Sequence, residues 1–376
     1  MGEIEITEST DGMGAVDGVQ RRAVVKGAAW SIPVIAMAVA SPMASASTTP
    51  VCRTVRVDAP LPTGTGRVEP ASRTTTFTVP ATVTRIDFAV AGGAGGGGGG
   101  TGGSGALVTG VLSVVPGEVL TLTVGQGGWT DTRPSGTITR PEVAGGQGYG
   151  DGGTVVEVAR LNDNGVLSST DQGGSGGGGS AILSAGTPLV VAGGGGGRSS
   201  AVWEVQDWNL TTSPAGGNGG QPNSAVANRI DRVGNDAWLS GGRGLGGSGS
   251  TPGAGGTGSS NIAAANIASG ANGAGRDGGN GQLIGIGGGD DLVSGAGFVR
   301  TAAGAGGGGY AGGGAGGRAS FSNDVTKAVM GGPAGGGSNY GSPRAVGVSH
   351  GLAGNNAGAG DVRRPGWITL SYEICS

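Results

Sequence analysis

Lysine, histidine and cysteine are almost missing from this 376-residue chain, which holds only Lys26, Lys327, His350, Cys52 and Cys375 of these types. Basic residues number 22 against 25 acids, for a net charge of −3, and they form no basic stripe. That argues against a nucleic-acid partner held by phosphate contacts. One histidine and two cysteines are too few ligands for a zinc site. Neither lysine stands in a Gly-Lys-Ser/Thr sequence, so there is no Walker A phosphate loop. Past Ala46 no apolar run approaches the ~20 residues a bilayer span requires, and no apolar tail closes the chain, so no membrane span is expected in the mature protein.

The one apolar run lies at the N-terminus, in "VQRRAVVKGAAWSIPVIAMAVASPMASAS". Paired Arg21 and Arg22 are followed by Lys26, then by an apolar stretch from Gly27 to Ala40 broken by Pro33, then by the small-residue cleavage pattern Ala44-Ser45-Ala46. This resembles a twin-arginine export signal, and the resemblance implies cleavage after Ala46 and export of an already folded chain. Residues 1–46 are therefore read as signal peptide, 47–72 as an N-terminal strand and linker, and 73–376 as the main domain. The mature chain is nearly neutral. "LPTGTG" at 61–66 is not a sortase signal, because Gly64 stands where Thr is needed.

Period-2 alternation marks strands. Ile86, Phe88 and Val90 share one face of "TVTRIDFAV"; Leu120, Leu122 and Val124 share one of "EVLTLTVG"; Ile368, Leu370, Tyr372 and Ile374 share one of "GWITLSYEIC". Further strands are expected over 105–115, 153–159 and 187–192. Pro116-Gly117 is a turn, with Pro fixing φ at the first central position and Gly supplying φ > 0 at the second. The spacing predicts an all-β, antiparallel β-sandwich. "NSAVANRIDRV" and "SNIAAANIASG" are the only helix candidates.

What the chain has in excess is glycine: 92 residues, about a quarter of the total, against a usual ~7%. The runs fall at 92–105, 173–179, 193–197, 241–258, 270–289, 304–317 and 331–337. Collagen is excluded, since there is no strict Gly-X-Y period. Two states compete. One is flexible linker. The other is a bundle of polyglycine II helices, extended at three residues per turn, which leave every N–H and C=O for neighbouring helices to pair. Only glycine permits that approach on all sides. The densest runs lack proline, and the runs return repeatedly to apolar or aromatic residues, which favours the bundle.

Thr76–Pro80 ("TFTVP"), Pro116–Gly128 ("PGEVLTLTVGQGG"), Leu189–Gly197 and Gly366–Tyr372 ("GWITLSY") together resemble bacterial and phage glycine-rich domains. The arrangement is also similar to the glycine-rich extracellular domain of anaplastic lymphoma kinase receptors. The resemblance covers roughly 73–374. It implies a TNF-like jelly roll carrying an inserted polyglycine II bundle, and it carries over no binding residue.

Gly-x-Gly-x-x-Gly recurs, but at this glycine content roughly five matches arise by chance, and the βαβ context is missing. "PLVVAGGGGGRSS" at 188–200 is thus a strand running into glycines and not a nucleotide loop. No cofactor is expected. "GIGGGDDLV" at 285–293 resembles a single calcium-binding nonapeptide repeat, with Asp290 and Asp291 as candidate ligands; such repeats act in tandem, and a chance match is the alternative. His350 reads as a polar loop residue. Trp203, Trp208 and Trp238 either pack over the glycine runs or form an exposed patch for a glycan or protein partner.

Cys52 and Cys375 lie opposite the apolar faces of the first and last strands, Cys52 opposite Val51, Val55 and Val57. An even cysteine count in an exported chain predicts that they pair. The expected function is a secreted, non-enzymatic structural or adhesive protein of the cell surface or matrix. A secreted carbohydrate- or protein-binding module is the second reading, and an extracellular hydrolase using His350 and scattered acids the third.

Overall fold

The computed structural model describes residues 51–62, 72–97, 101–130, 139–140, 143–155, 158–159, 173–203, 208–210, 215–281, 303–322, 327–356 and 363–375. Arg21, Arg22 and Ala46, expected to belong to a signal peptide, lie outside these, as do the candidate calcium ligands Asp290 and Asp291. Among the described residues there is no helix. The strands are β1 Cys52–Asp58, β2 Arg73–Thr78, β3 Arg85–Ala91, β4 Ala106–Ser113, β5 Val119–Val124, β6 Thr139–Arg140, β7 Val158–Ala159, β8 Ser180–Ser184, β9 Thr187–Ala192 and β10 Ala201–Trp203. They continue with β11 Trp208–Leu210, β12 Asn228–Arg232, β13 Trp238–Gly241, β14 Ser259–Ser260, β15 Asn266–Ala268, β16 Arg318–Ser322, β17 Lys327–Gly331, β18 Tyr340–Gly341, β19 Ala345–Leu352 and β20 Trp367–Cys375.

Two five-stranded antiparallel sheets, ordered β1-β20-β3-β4-β19 and β18-β9-β8-β5-β2, share one apolar core. The alternation read from the sequence is the alternation that buries. Ile86, Phe88 and Val90, with Ile368, Leu370 and Tyr372, meet Leu120, Leu122, Val124, Ile182 and Val190 in a single cluster. β1 is an edge strand of the first sheet, so residues 52–58 belong to the sandwich rather than preceding it; Val55 and Val57 pack on its core. At the Pro116 turn Gly117 has φ +81° and the Glu118 N–H donates to the Val115 carbonyl at 2.9 Å.

Two smaller antiparallel sheets, β10-β17-β16-β15 and β11-β12-β13-β14, share a second core of Ile230, Leu239, Ala319, Phe321, Ala328 and Met330. This overturns both helix candidates. "NSAVANRIDRV" contains β12, where Ile230 pairs with Leu239 and is fully buried. "SNIAAANIASG" contains the end of β14, a turn closed by the Ala265 N–H to the Ile262 carbonyl, and β15. Helix propensity is a weak prior that cross-strand burial overrides here.

Strands run straight into the glycine segments. The chain leaves β9 as 193–200 and becomes β10; it leaves β17 as 332–339 and becomes β18. Within these segments the backbone bonds follow a three-residue repeat. The N–H groups of Gly304 and Gly307 donate to the carbonyls of Gly332 and Gly335; those of Ala305 and Gly308 to Gly174 and Gly177; those of Gly306 and Gly309 to Gly279 and Arg276. The carbonyls of Gly304 and Gly307 accept from Gly316 and Gly313, those of Ala305 and Gly308 from Gly197 and Gly194, and that of Gly306 from Gly153. Segment 304–309 is therefore bonded to six surrounding segments. Segments 174–179 and 194–198 repeat the pattern with their own neighbours. A Cβ at Gly306 would overlap the Gly313 carbonyl oxygen, which is why this position admits only hydrogen.

Candidate functional site

The glycine network needs donors and acceptors at its margins, and polar side chains supply them. Asn218 Oδ1 accepts from the Ser104 N–H at 2.9 Å, Asn339 Oδ1 from the Gly193 N–H at 2.9 Å, and Asn355 Oδ1 from the Gly105 N–H at 3.1 Å. The Asn355 amide also donates to the Gly92 and Pro365 carbonyls at 2.9 and 3.0 Å. Ser180 Oγ accepts from the Gly125 N–H at 2.9 Å and donates to the Ala91 carbonyl at 2.6 Å. These residues do for the glycine segments what N-cap side chains do for an α-helix. Arg363, 2% exposed, donates to the Gly127 carbonyl at 2.9 Å and the Ala144 carbonyl at 3.0 Å. Burial lowers its guanidinium to about 10. Sequence reasoning missed all of these, because an Asn whose partner lies over a hundred residues away carries no local signal.

The three tryptophans of the candidate patch lie on three different strands. Trp203 lies on β10, opposite Ala328 of β17. Trp208 and Trp238 lie in the other small sheet, Trp208 opposite Arg232 and Trp238 opposite Asp231. Adjacent positions 231 and 232 point to opposite faces of a strand, so these two tryptophans stand at register positions on opposite faces. Trp238 is half-buried on the face away from Leu239. The Arg229 guanidinium lies 4.8 Å from the centre of its ring and pairs with Asp231. Asn209 is exposed at the register position beside Asp231, and Ser240 lies opposite Arg229. The face thus presents one aromatic ring under a cation, a carboxylate, an amide and a hydroxyl.

A second aromatic group lies beside the glycine segments. The Tyr310 and Tyr340 rings stack with centroids 4.2 Å apart and planes 13° from parallel. The Arg276 guanidinium lies 4.7 Å from the Tyr149 ring centre. The buried Trp129 approaches the glycine segments differently, clustering with Val143, Val155 and Ala305. His350 is on the edge strand β19 and not in a loop, exposed, with Nδ1 3.4 Å from Asn339 Nδ2. Among the described residues no three His, Cys, Asp or Glu side chains converge.

Cys52 and Cys375 are joined in a disulfide on the exposed face of the β1–β20 pair. Among the described residues, no helix is long and apolar enough to cross a membrane. The chain is an all-β protein of antiparallel sheets. No protein-family model matches it, and no curated protein matches it significantly.

Proposed function

We propose that this chain is an exported, non-enzymatic structural or adhesive protein of the cell surface or matrix. Its glycine segments are read as a bundle of polyglycine II helices set into a TNF-like jelly roll. The observation that carries the reading is the three-residue repeat of backbone bonds through 304–309, since a helix with three residues per turn returns to the same neighbour at every third residue. An interior built this way is made largely of backbone, so the reading assigns function to the surface and the scaffold. The exposed disulfide, the near-neutral mature sequence and the paired Arg21 and Arg22 support an extracytoplasmic location.

The test is fractionation of a producing culture carrying Arg21→Lys and Arg22→Lys. The precursor should be retained inside the cells, while the parent chain appears outside, processed after Ala46. Export of the double variant at the parental level overturns the twin-arginine route, and retention of the parent chain inside the cells overturns the location. Parallel adhesion assays on cells with and without the protein address the role.

A binding-module reading is favoured at one place by Arg229 and Asp231 around the half-buried Trp238 ring. Loss of glycan-array or whole-cell binding in Trp238→Ala, with the fold intact, would select it.

A further inference from the structure

The outer face of the β1–β20 pair carries a second candidate site, at the opposite end of the ladder from the disulfide. Arg56 and Asp58 of β1 and Trp367 and Thr369 of β20 all point to this face, with Asp58 directly opposite Thr369. They line an open cleft of about 380 Å³ whose remaining walls are Ala59, Leu61, Pro365, Gly366 and Ile368. The geometry points to a neutral saccharide as the ligand of this cleft, stacked on Trp367 and hydrogen-bonded by Asp58, Arg56 and Thr369.

Three observations carry this. The first is rigidity. Arg56 Nε reaches both oxygens of Asp58 at 3.1 Å, its Nη2 reaches Asp58 Oδ1 at 3.0 Å and Thr369 Oγ1 at 3.3 Å, and Thr369 Oγ1 donates to Asp58 Oδ1 at 2.6 Å. The polar groups are fixed before any ligand arrives, on paired strands rather than a loop, so little ordering entropy is lost on binding. The second is charge. One guanidinium and one carboxylate match each other, so the cleft offers no net charge to select an anion or a cation. What remains is unspent hydrogen-bonding capacity of both kinds: Arg56 Nη1 has no partner among the described residues, and the carboxylate retains acceptor sites. The Arg56 and Asp58 side chains are 67% and 58% exposed, within reach of a ligand. A ligand that donates and accepts from adjacent positions without charge is a polyol. The third is the floor. Trp367 is half-buried with part of its ring open to the cleft, and Leu61 is 52% exposed, which gives an aromatic and aliphatic surface for the C–H face of a sugar ring.

The inference does not depend on export, and it concerns a surface other than that of Trp238. The probes are methyl α-D-glucopyranoside, methyl β-D-galactopyranoside, methyl α-D-mannopyranoside and N-acetylglucosamine. They are titrated into the purified full chain by saturation-transfer NMR and calorimetry. At least one should bind with a dissociation constant of order 1 mM. Trp367→Ala should weaken it at least about tenfold and Asp58→Asn about threefold, while Trp238→Ala leaves it unchanged. Leu61→Arg fills the cleft from an exposed position outside both sheets, so it separates occlusion from misfolding and should abolish binding with the unfolding midpoint unmoved. The proposal is overturned if none of the four sugars binds, or if binding survives both Trp367→Ala and Leu61→Arg. It is equally overturned if the cleft takes up a short extended peptide in preference to every sugar.

Discussion

Cys52 and Cys375 occupy directly opposed positions at one end of the β1–β20 ladder, their Cα atoms 4.0 Å apart, and the bond between them joins the first strand to the last across 323 residues. The chain-entropy model gives about 5–6 kcal/mol for a loop of this length. Six further register pairs, from Arg53–Ile374 to Asp58–Thr369, hold the same two strands together without it. Cys52→Ser with Cys375→Ser should therefore fold, with a destabilisation clearly below that ceiling, of order 2–3 kcal/mol. Denaturant titration measures this, and non-reducing mass spectrometry of the parent should yield a 52–375 crosslinked peptide. Two freely alkylated thiols in the folded parent would contradict the structure.

Gly306 and Gly351 make a matched pair. A Cβ on Gly306 overlaps a backbone carbonyl that six-neighbour packing holds in place, whereas around Gly351, exposed on β19, nothing lies within 4 Å. Gly306→Ala should cost more than about 3 kcal/mol or prevent folding. Gly351→Ala should be neutral or stabilise by a few tenths of a kcal/mol, through the unfolded chain. Amide exchange over 304–317 should be slow in the parent, as most of these bonds run to remote segments and those of Gly313 and Gly316 return to Gly307 and Gly304 within the run. Similar unfolding midpoints for the two variants would refute the packing argument.

Ala185 has φ +46° and precedes Gly186 at φ +79°, the pair forming the turn between β8 and β9. Positive φ at both central residues is the turn that favours Asn-Gly. Ala185→Asn should raise stability by about 1 kcal/mol, since a β-carbon in this region costs roughly 1–2 kcal/mol, which the short side chain of Asn offsets by hydrogen-bonding locally. Thermal unfolding reads the change, and a lower midpoint would count against it.

Arg344 donates through both terminal nitrogens to Glu118, which also accepts from the Ser184 hydroxyl and the Val115 N–H. The Arg344 bonds lead in lowering the carboxyl from its ordinary 4.5 to about 2, against desolvation. A depressed folded-state value means the contribution is complete above about pH 4.5 and is lost as pH falls towards 2. Between those limits the parent should lose stability faster than Glu118→Gln, and the two pH profiles should converge at the acid end. Parallel profiles from pH 6 to 2 would remove Glu118 from the account.

The sandwich was legible because burial imposes period 2. Ile86, Phe88 and Val90 could be assigned to a core face from spacing alone, and so could the faces of Cys52 and Cys375. The glycine runs were legible as a composition but not as a network. Gly177 and Gly194 are chemically identical, so nothing in the letters says that Gly308 donates to one and accepts from the other. β12 and β15 were hidden in segments rich in Ala, Asn, Ile and Arg, whose strand state depends on partners such as Leu239 and Ser320. Trp367 was readable as the start of a strand. Its neighbours Asp58 and Leu61 come from the far end of the sequence, so the cleft they form had no local signature.

An interior whose contacts are backbone amides also alters how stability varies with temperature. Unfolding a conventional core exposes apolar surface and raises the heat capacity, whereas exposing peptide groups lowers it. Here much of the buried chain carries no side chain beyond hydrogen, so the two contributions largely cancel. The heat capacity change per residue should fall well below the usual ~12–15 cal/mol/K, giving a broad, shallow stability curve. The protein would then lose little stability over a wide span of temperature.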